Sequence, residues 1–249
     1  MIKVLIINFS LLFPSVYKKY QEGLFESLRR FFMPFYEIEY KYLYLIIEST
    51  QRTISMALDV GANVGQSSYA FRRIFPDAEL HAFEPNPSIF QTLARNLRNC
   101  QINLHNIGLG EQKKIGYIYI PEYKNVLFTG LAACNRIQAE KHMQKLNLTK
   151  FHSLSFVTLQ QNVFIETGDF FELRPDLIKI DVEGFEIEVL QGLTRTIEAF
   201  KPLILVECSD THDEVSELLS KYSYRGLEFS RKDKAWLPSK RSNPMQLFI

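Results

Sequence analysis

The stretch from Met56 to Pro76 limits the folds open to this chain more than any other. A short apolar run, Met56-Ala-Leu-Asp-Val60, stops at Gly61. From Gly65 to Phe75 the apolar residues recur at helical spacing, and Pro76 closes the segment. A strand that turns through glycines straight into a helix opens a parallel sheet, because the helix carries the chain back before the next strand starts. Gly61 is predicted to let the backbone turn sharply, and Gly65 to let the helix begin close to a ligand. In such sheets ligands bind beyond the carboxyl ends of the strands.

The same alternation runs on through the chain. Glu79 to Phe83 reads as a second strand ending at Glu84-Pro85, and Asn86 to Asn99 as a helix capped by Asn86 or Ser88. Ile102 to Asn106, Leu177 to Asp181 and Leu203 to Glu207 read as further strands, with helices over Phe185–Phe200 and Thr211–Tyr222. Ile115 to Ile120 alternates like an antiparallel edge or insertion strand, and Tyr224–Phe229 and Gln246–Ile249 close the sheet around a basic turn. The fold class is therefore α/β, a doubly wound Rossmann-like sheet. Residues 1–53, rich in Phe and Tyr, read as a mostly helical N-terminal extension packing on the main domain, with a dimer contact or an acceptor-site cover as alternatives. Residues 54–249 form the main domain, with an irregular insertion at about 121–161.

Composition narrows the function. Lys plus Arg total 29 against 28 for Asp plus Glu, so no global field draws the chain to nucleic acid or an anionic membrane. The 3 cysteines, Cys100, Cys134 and Cys208, form no C-x-x-C pair, which argues against structural zinc and for a reducing compartment. No apolar run is long enough to span a bilayer, and the apolar start lacks a small-residue cleavage site; a cytoplasmic protein is expected.

The carboxylates carry the chemistry. Asp59 ends the first strand and Glu84 the second, where an acid can accept hydrogen bonds from ribose hydroxyls. Gly61 and Gly65 are spaced G-x-x-x-G, without the middle glycine of a pyrophosphate loop, and Asp59 would repel phosphate. S-adenosylmethionine has no phosphate and carries an ammonium and a sulfonium, which an acidic loop favours. Asp181 and Glu183 emerge at the same strand edge within Ile180-Asp-Val-Glu-Gly184. Glu186 and Glu188 read as solvated acids in the first turns of the next helix, and Lys179, opposite Ile178 and Ile180, as a locally paired side chain.

The blocks DVGANVGQ, AFEPNP, HNIGLGEQ, LIKIDVEGFEIEVLQGL and KPLILVEC, in this order between Met56 and Cys208, resemble the FkbM-type S-adenosylmethionine-dependent methyltransferases. The resemblance implies the seven-stranded class I methyltransferase sheet with an antiparallel last strand. It implies O-methylation of a hydroxyl on a sugar, glycoconjugate or polyketide-like natural product. Carried over, Asp59, Gly61, Ala62, Asn63 and Gly65 lie under the methionine part of the cofactor. Glu84 holds the ribose, Pro85 and Asn86 sit beside the adenosine, and Asn106 and Gly108 flank the adenine. Asp181 and Glu183 match the family's I-D-x-E-G block near the transferable methyl, and Glu207 matches the acid ending the fifth strand. An alcohol gives up its proton as it attacks, so a base is needed. Asp181 is the first choice, then Glu183 and Glu207, with His152 and His212 as further candidates. A divalent ion on Asp181, Glu207 and Asp210 is an alternative that the reading does not require. The expected partner is a small-molecule or glycan acceptor rather than nucleic acid, and a homodimer is open. The D/N-P-P-Y/F block of amino-methylating nucleic-acid enzymes is absent, and the cluster Arg231, Lys232, Lys234, Lys240 and Arg241 reads as a solvated turn. An amine or nucleic-acid acceptor, or a non-catalytic scaffold, are the rival readings.

Overall fold

The computed structural model describes residues 43–123, 126–128, 131–145, 156–208, 211–230, 232–240 and 245–249. Helix α1 (Leu43–Thr50) leads into β1 (Met56–Val60), and Leu43 is fully buried against the main domain. Most of the helical extension expected over residues 1–53 lies outside the described residues, as do the segments that would decide between its alternatives.

The central sheet follows the strand–helix alternation. After β1 come α2 (Gln66–Ile74), β2 (Glu79–Phe83), α3 (Pro87–Asn96) and β3 (Asn103–His105). Later come β8 (Leu177–Ile180), α5 (Glu186–Gln191), α6 (Thr194–Phe200), β9 (Leu203–Glu207) and α7 (His212–Ser220). The sheet closes with β10 (Gly226–Ser230), β11 (Ala235–Pro238) and β12 (Met245–Phe248). Its order is β11-β10-β12-β9-β8-β1-β2-β3. The strands from β9 to β3 are parallel, whereas β12, β10 and β11 are added antiparallel. The sheet is thus eight-stranded rather than seven-stranded. The extra strand, β11, forms inside the expected basic turn, where Trp236 packs edge-on to Phe229 at 5.5 Å.

The middle strands are buried on both faces, as parallel strands must be when helices cover both sides. Along β9, Ile204 and Val206 join one core layer with Val189, Leu193 and Leu219, while Leu203 and Leu205 join the other with Phe71 and Leu247. The single helix expected over Phe185–Phe200 is two, α5 and α6, broken at Gly192-Leu193. A Cβ at Gly192 would lie 1.9 Å from the Gly110 carbonyl oxygen, so the break lets a neighbouring backbone approach closely.

The insertion expected at about 121–161 is flanked by the strands of a second sheet and, among the described residues, carries a short strand and a helix. Beyond β4 (Gly108–Leu109), β5 (Lys114–Tyr123) pairs antiparallel with β7 (Val157–Glu166), and β6 (Val126–Leu127) and helix α4 (Arg136–Lys145) lie between them in the chain. The order is β4-β7-β5-β6. One face of this hairpin, with Ile118, Ile120, Val163 and Ile165, packs as a small core against Phe185. No helix among the described residues is long and apolar enough to cross a membrane.

Candidate functional site

Gly61 follows β1 with φ +81°, and a Cβ there would fall 1.9 Å from the Asp181 carbonyl oxygen. The loop therefore passes tightly over the end of β8, and glycine is the residue that fits both demands. The Gly61 and Ala62 N–H groups both donate to the Phe83 carbonyl at 3.0 Å, which fixes the loop to the end of β2. Asn63 also has a positive φ, +51°, and its N–H donates to Glu84 Oε2 at 3.0 Å.

Glu84 is buried at the carboxyl end of β2. Its other oxygen, Oε1, accepts from the Asn86 N–H at 2.8 Å. Burial outweighs these two amides and pushes its carboxyl up from the ordinary 4.5 to about 7. Asn86 caps α3, with Oδ1 accepting from the Ser88 and Ile89 N–H groups at 3.0 and 3.3 Å and Pro87 in the first helical position. The Asn86 amide nitrogen is buried with no hydrogen-bond partner. A native buried donor of this kind calls for a ligand or a water.

Beneath the loop lies a buried charge network. Asp59 accepts from the Ser67 hydroxyl at 2.7 Å and from the Ser68 hydroxyl. Lys179 stands directly beside Asp59 in the β1–β8 register and bridges Asp59 Oδ1 and Asp181 Oδ2 at 3.3 Å each. It also donates to the Gly61 carbonyl at 3.3 Å. The Asp59 and Lys179 side chains are only 3% and 2% exposed, so water does not screen this pair. Asp59 thus does not present its charge to a ligand, and phosphate repulsion by Asp59 carries no weight in choosing the cofactor.

A cavity of about 450 Å³ opens at the carboxyl ends of β1, β2, β8 and β9. It brings together Gly61, Asn63, Glu84, Pro85, Asn86, Gly108, Asp181, Glu183 and Glu207 from the sequence-predicted set. Asp59, Ala62, Gly65 and Asn106 do not line it. Ala62 is packed with Ala82, Leu93 and Leu97. Gly65, at φ +102°, starts α2 against Leu93 and Leu97 of α3 rather than against a ligand. Asn106 braces the turn after β2 by donating to the Glu84 and Pro85 carbonyls at 2.9 and 3.3 Å. His212, at the start of α7, lies outside the cavity lining; His152 and Asp210 fall outside the described residues. No cluster of three or more His, Cys, Asp or Glu arranged for a metal ion occurs among the described residues.

Three features of the site escape the sequence reading. Lys179 joins the two candidate carboxylates, where only a local pairing was expected. Glu186 is buried rather than solvated: it accepts from the Gly184 N–H at 2.8 Å and the Thr211 hydroxyl at 2.9 Å, tying the Asp181–Gly184 turn to the start of α7. Burial raises its carboxyl above the ordinary range. The opposite cavity wall is the β5–β7 hairpin with Ala132, Ala133 and Cys134. Burial and the nearby Glu186, Glu188 and Glu183 push the Cys134 thiol up to about 12, which leaves it an inert wall group.

Comparison with known proteins agrees with this architecture. The Methyltransferase FkbM domain family matches residues 59–226, more than half of the chain, and the chain belongs to that family. Methyltransferase 1 of Beauveria bassiana is 26% identical over 192 residues, covering 74% of this chain and 76% of its own. The hexuronic acid methyltransferase AglP of Haloferax volcanii is 27% identical over 164 residues, covering 65% of this chain and 60% of its own. The crystal structure of the methyltransferase FkbM from Methylobacillus flagellatus shares the fold with a TM-score of 0.50 at 19% identity. That match covers 78% of this chain and 43% of the other, so this chain spans less than half of that protein.

Proposed function

We propose that this FkbM-family methyltransferase uses S-adenosylmethionine to methylate a hydroxyl of a sugar, glycoconjugate or polyketide-like natural product. The observation that carries the reading is the division of the cavity. Glu84 and the unpartnered Asn86 amide stand at the β2 end, and Asp181, Glu183 and Glu207 at the β8–β9 end. The first pair fits a nucleoside, with an acid for ribose hydroxyls and a donor for a neighbouring acceptor atom. The second group fits a hydroxyl-bearing acceptor, because carboxylates accept hydrogen bonds from several hydroxyls at once. The hexuronic acid methyltransferase among the relatives supports a sugar acceptor.

S-adenosylmethionine, when bound, supplies a methyl group on a positively charged sulfur. The chain's own residues must align the acceptor oxygen and remove its proton. Lys179 fixes Asp181 by holding Oδ2 at 3.3 Å, so the carboxylate is oriented before the acceptor arrives. Asp181 takes the hydroxyl proton, and Glu183 and Glu207 hold neighbouring hydroxyls. Glu183 is set by the turn, whose φ of +53° at this residue is held by the close packing around Gly184 and by Glu186. The hairpin and Phe185 line the cavity on the far side.

The test is transfer of labelled methyl from S-adenosylmethionine to a panel of sugars, uronic acids and polyketide alcohols. The reading predicts label on oxygen, lost in Asp181→Asn. Label on nitrogen alone, or none on any hydroxyl, contradicts it.

A further inference from the structure

Among the described residues, the hairpin leaves one strand edge unpaired beside the cavity. β5 pairs with β7 from Lys114↔Ile165 to Glu122↔Val157. On its other edge, Tyr119 exchanges backbone hydrogen bonds with Ala133 at 2.9 and 3.1 Å, and the Phe128 N–H donates to the Pro121 carbonyl at 2.8 Å. In an antiparallel strand the N–H and C=O of one residue point to the same side, and the side alternates from residue to residue. Tyr119 and Pro121 point away from β7, and so do Tyr117 and Ile115. After Ala133 the chain turns into α4, which begins at Arg136. Among the described residues nothing pairs with the backbone groups of Ile115 and Tyr117. Every residue from 114 to 119 lines the cavity. A sheet face contributes every second residue, whereas an edge contributes each one. The cavity therefore touches the β5 edge as well as the face that β5 shares with Val163 and Ile165, in the space that also holds Asp181, Glu183 and Glu207.

Such an edge is complementary to an extended chain of its own kind. A single secondary amide points its N–H and C=O in opposite directions and satisfies one group of the edge. An amino-acid unit flanked by two amides offers one N–H and one C=O on the same side, and closes both bonds with Ile115 or Tyr117. We propose that the acceptor carries such an aminoacyl unit, seated on the open edge of β5, with its hydroxyl-bearing group turned toward Asp181, Glu183 and Glu207. The inference rests on the methyl-transfer reading for its chemistry, but the binding it describes can be measured without turnover.

The probes are N-acetyl-L-serine N-methylamide, the ester analogue in which oxygen replaces its serine N–H, and the methyl glycoside of N-acetylglucosamine. Their binding to the full chain is followed by ligand-observed NMR with and without S-adenosylhomocysteine. Tyr117→Pro removes an N–H that takes no part in the β5–β7 ladder and sets the proline ring on the edge. Tyr117→Ala removes the side chain and keeps the edge. The diamide is expected to bind about tenfold more tightly than the ester in the native chain and in Tyr117→Ala. In Tyr117→Pro the two bind alike, while affinity for S-adenosylhomocysteine stays the same. Equal binding of diamide and ester to the native chain overturns the proposal. So does a preference that survives Tyr117→Pro, or a glycoside that binds as tightly as the diamide. Failure of the methyl-transfer reading shows separately, as absent binding of S-adenosylhomocysteine.

Discussion

At the scale of single residues, two buried charges decide how the site behaves. Lys179 sits between Asp59 and Asp181, out of reach of water. Removing it leaves Asp59 uncompensated in the interior, so Lys179→Met should lower stability by about 3 kcal/mol in urea unfolding, and Asp59→Asn added to it should restore part of the loss. Glu84 gives a pH dependence. Its folded-state value, about 7, lies above the ordinary 4.5, so its proton favours the folded chain. The stability it contributes is fully present below about pH 4.5 and is lost as pH rises through about 7. On the proposed reading cofactor binding has the opposite sign, because ribose hydroxyls would donate to the carboxylate and not to the acid. Affinity should fall about tenfold for each pH unit below 7, and calorimetry of Glu84→Gln should show a flat profile. The place of Glu84 at the cavity was legible in the sequence, since it directly follows the second strand. Lys179 was not: its partner Asp59 is adjacent only through the β1–β8 register, which no local pattern encodes. Glu186 was misread for the same reason, because Thr211 covers it from a distant helix.

At the scale of elements, strands and helices of the parallel sheet follow directly from apolar runs, glycines and caps, and Asn86 caps α3 as its position suggested. The misses share a cause. The α5–α6 break at Gly192 answers the backbone of Gly110, which is distant in sequence. Gly192→Ala should therefore lower the thermal midpoint by several degrees, although alanine favours a helix; a rise would contradict the close approach. β7 stayed hidden because Gln160-Gln161-Asn162 dilutes its alternation; its length is set by pairing with β5. β11 is short, ends on Pro238 and adjoins lysines, so only its pairing with β10 marks it as a strand.

At the scale of the whole molecule, the central sheet carries the cavity's fixed wall and the β5–β7 hairpin the wall opposite it. The fixed wall supplies Glu84, Asn86, Asp181, Glu183 and Glu207 from the ends of β2, β8 and β9, the positions such sheets reserve for ligands. The fixed wall was readable because its residues follow strand ends in chain order. The opposite wall was not, because it comes from an insertion whose sheet register sets what it presents. The claim that joins both walls is that this cavity binds S-adenosylmethionine through Glu84. Calorimetric titration of S-adenosylhomocysteine, with NAD as the competing dinucleotide, into the native chain and Glu84→Gln tests it most directly. The predicted result is micromolar binding of S-adenosylhomocysteine, at least about tenfold weaker in the variant, with no uptake of NAD. Binding of NAD alone, or binding of S-adenosylhomocysteine that Glu84→Gln leaves unchanged, would contradict the account.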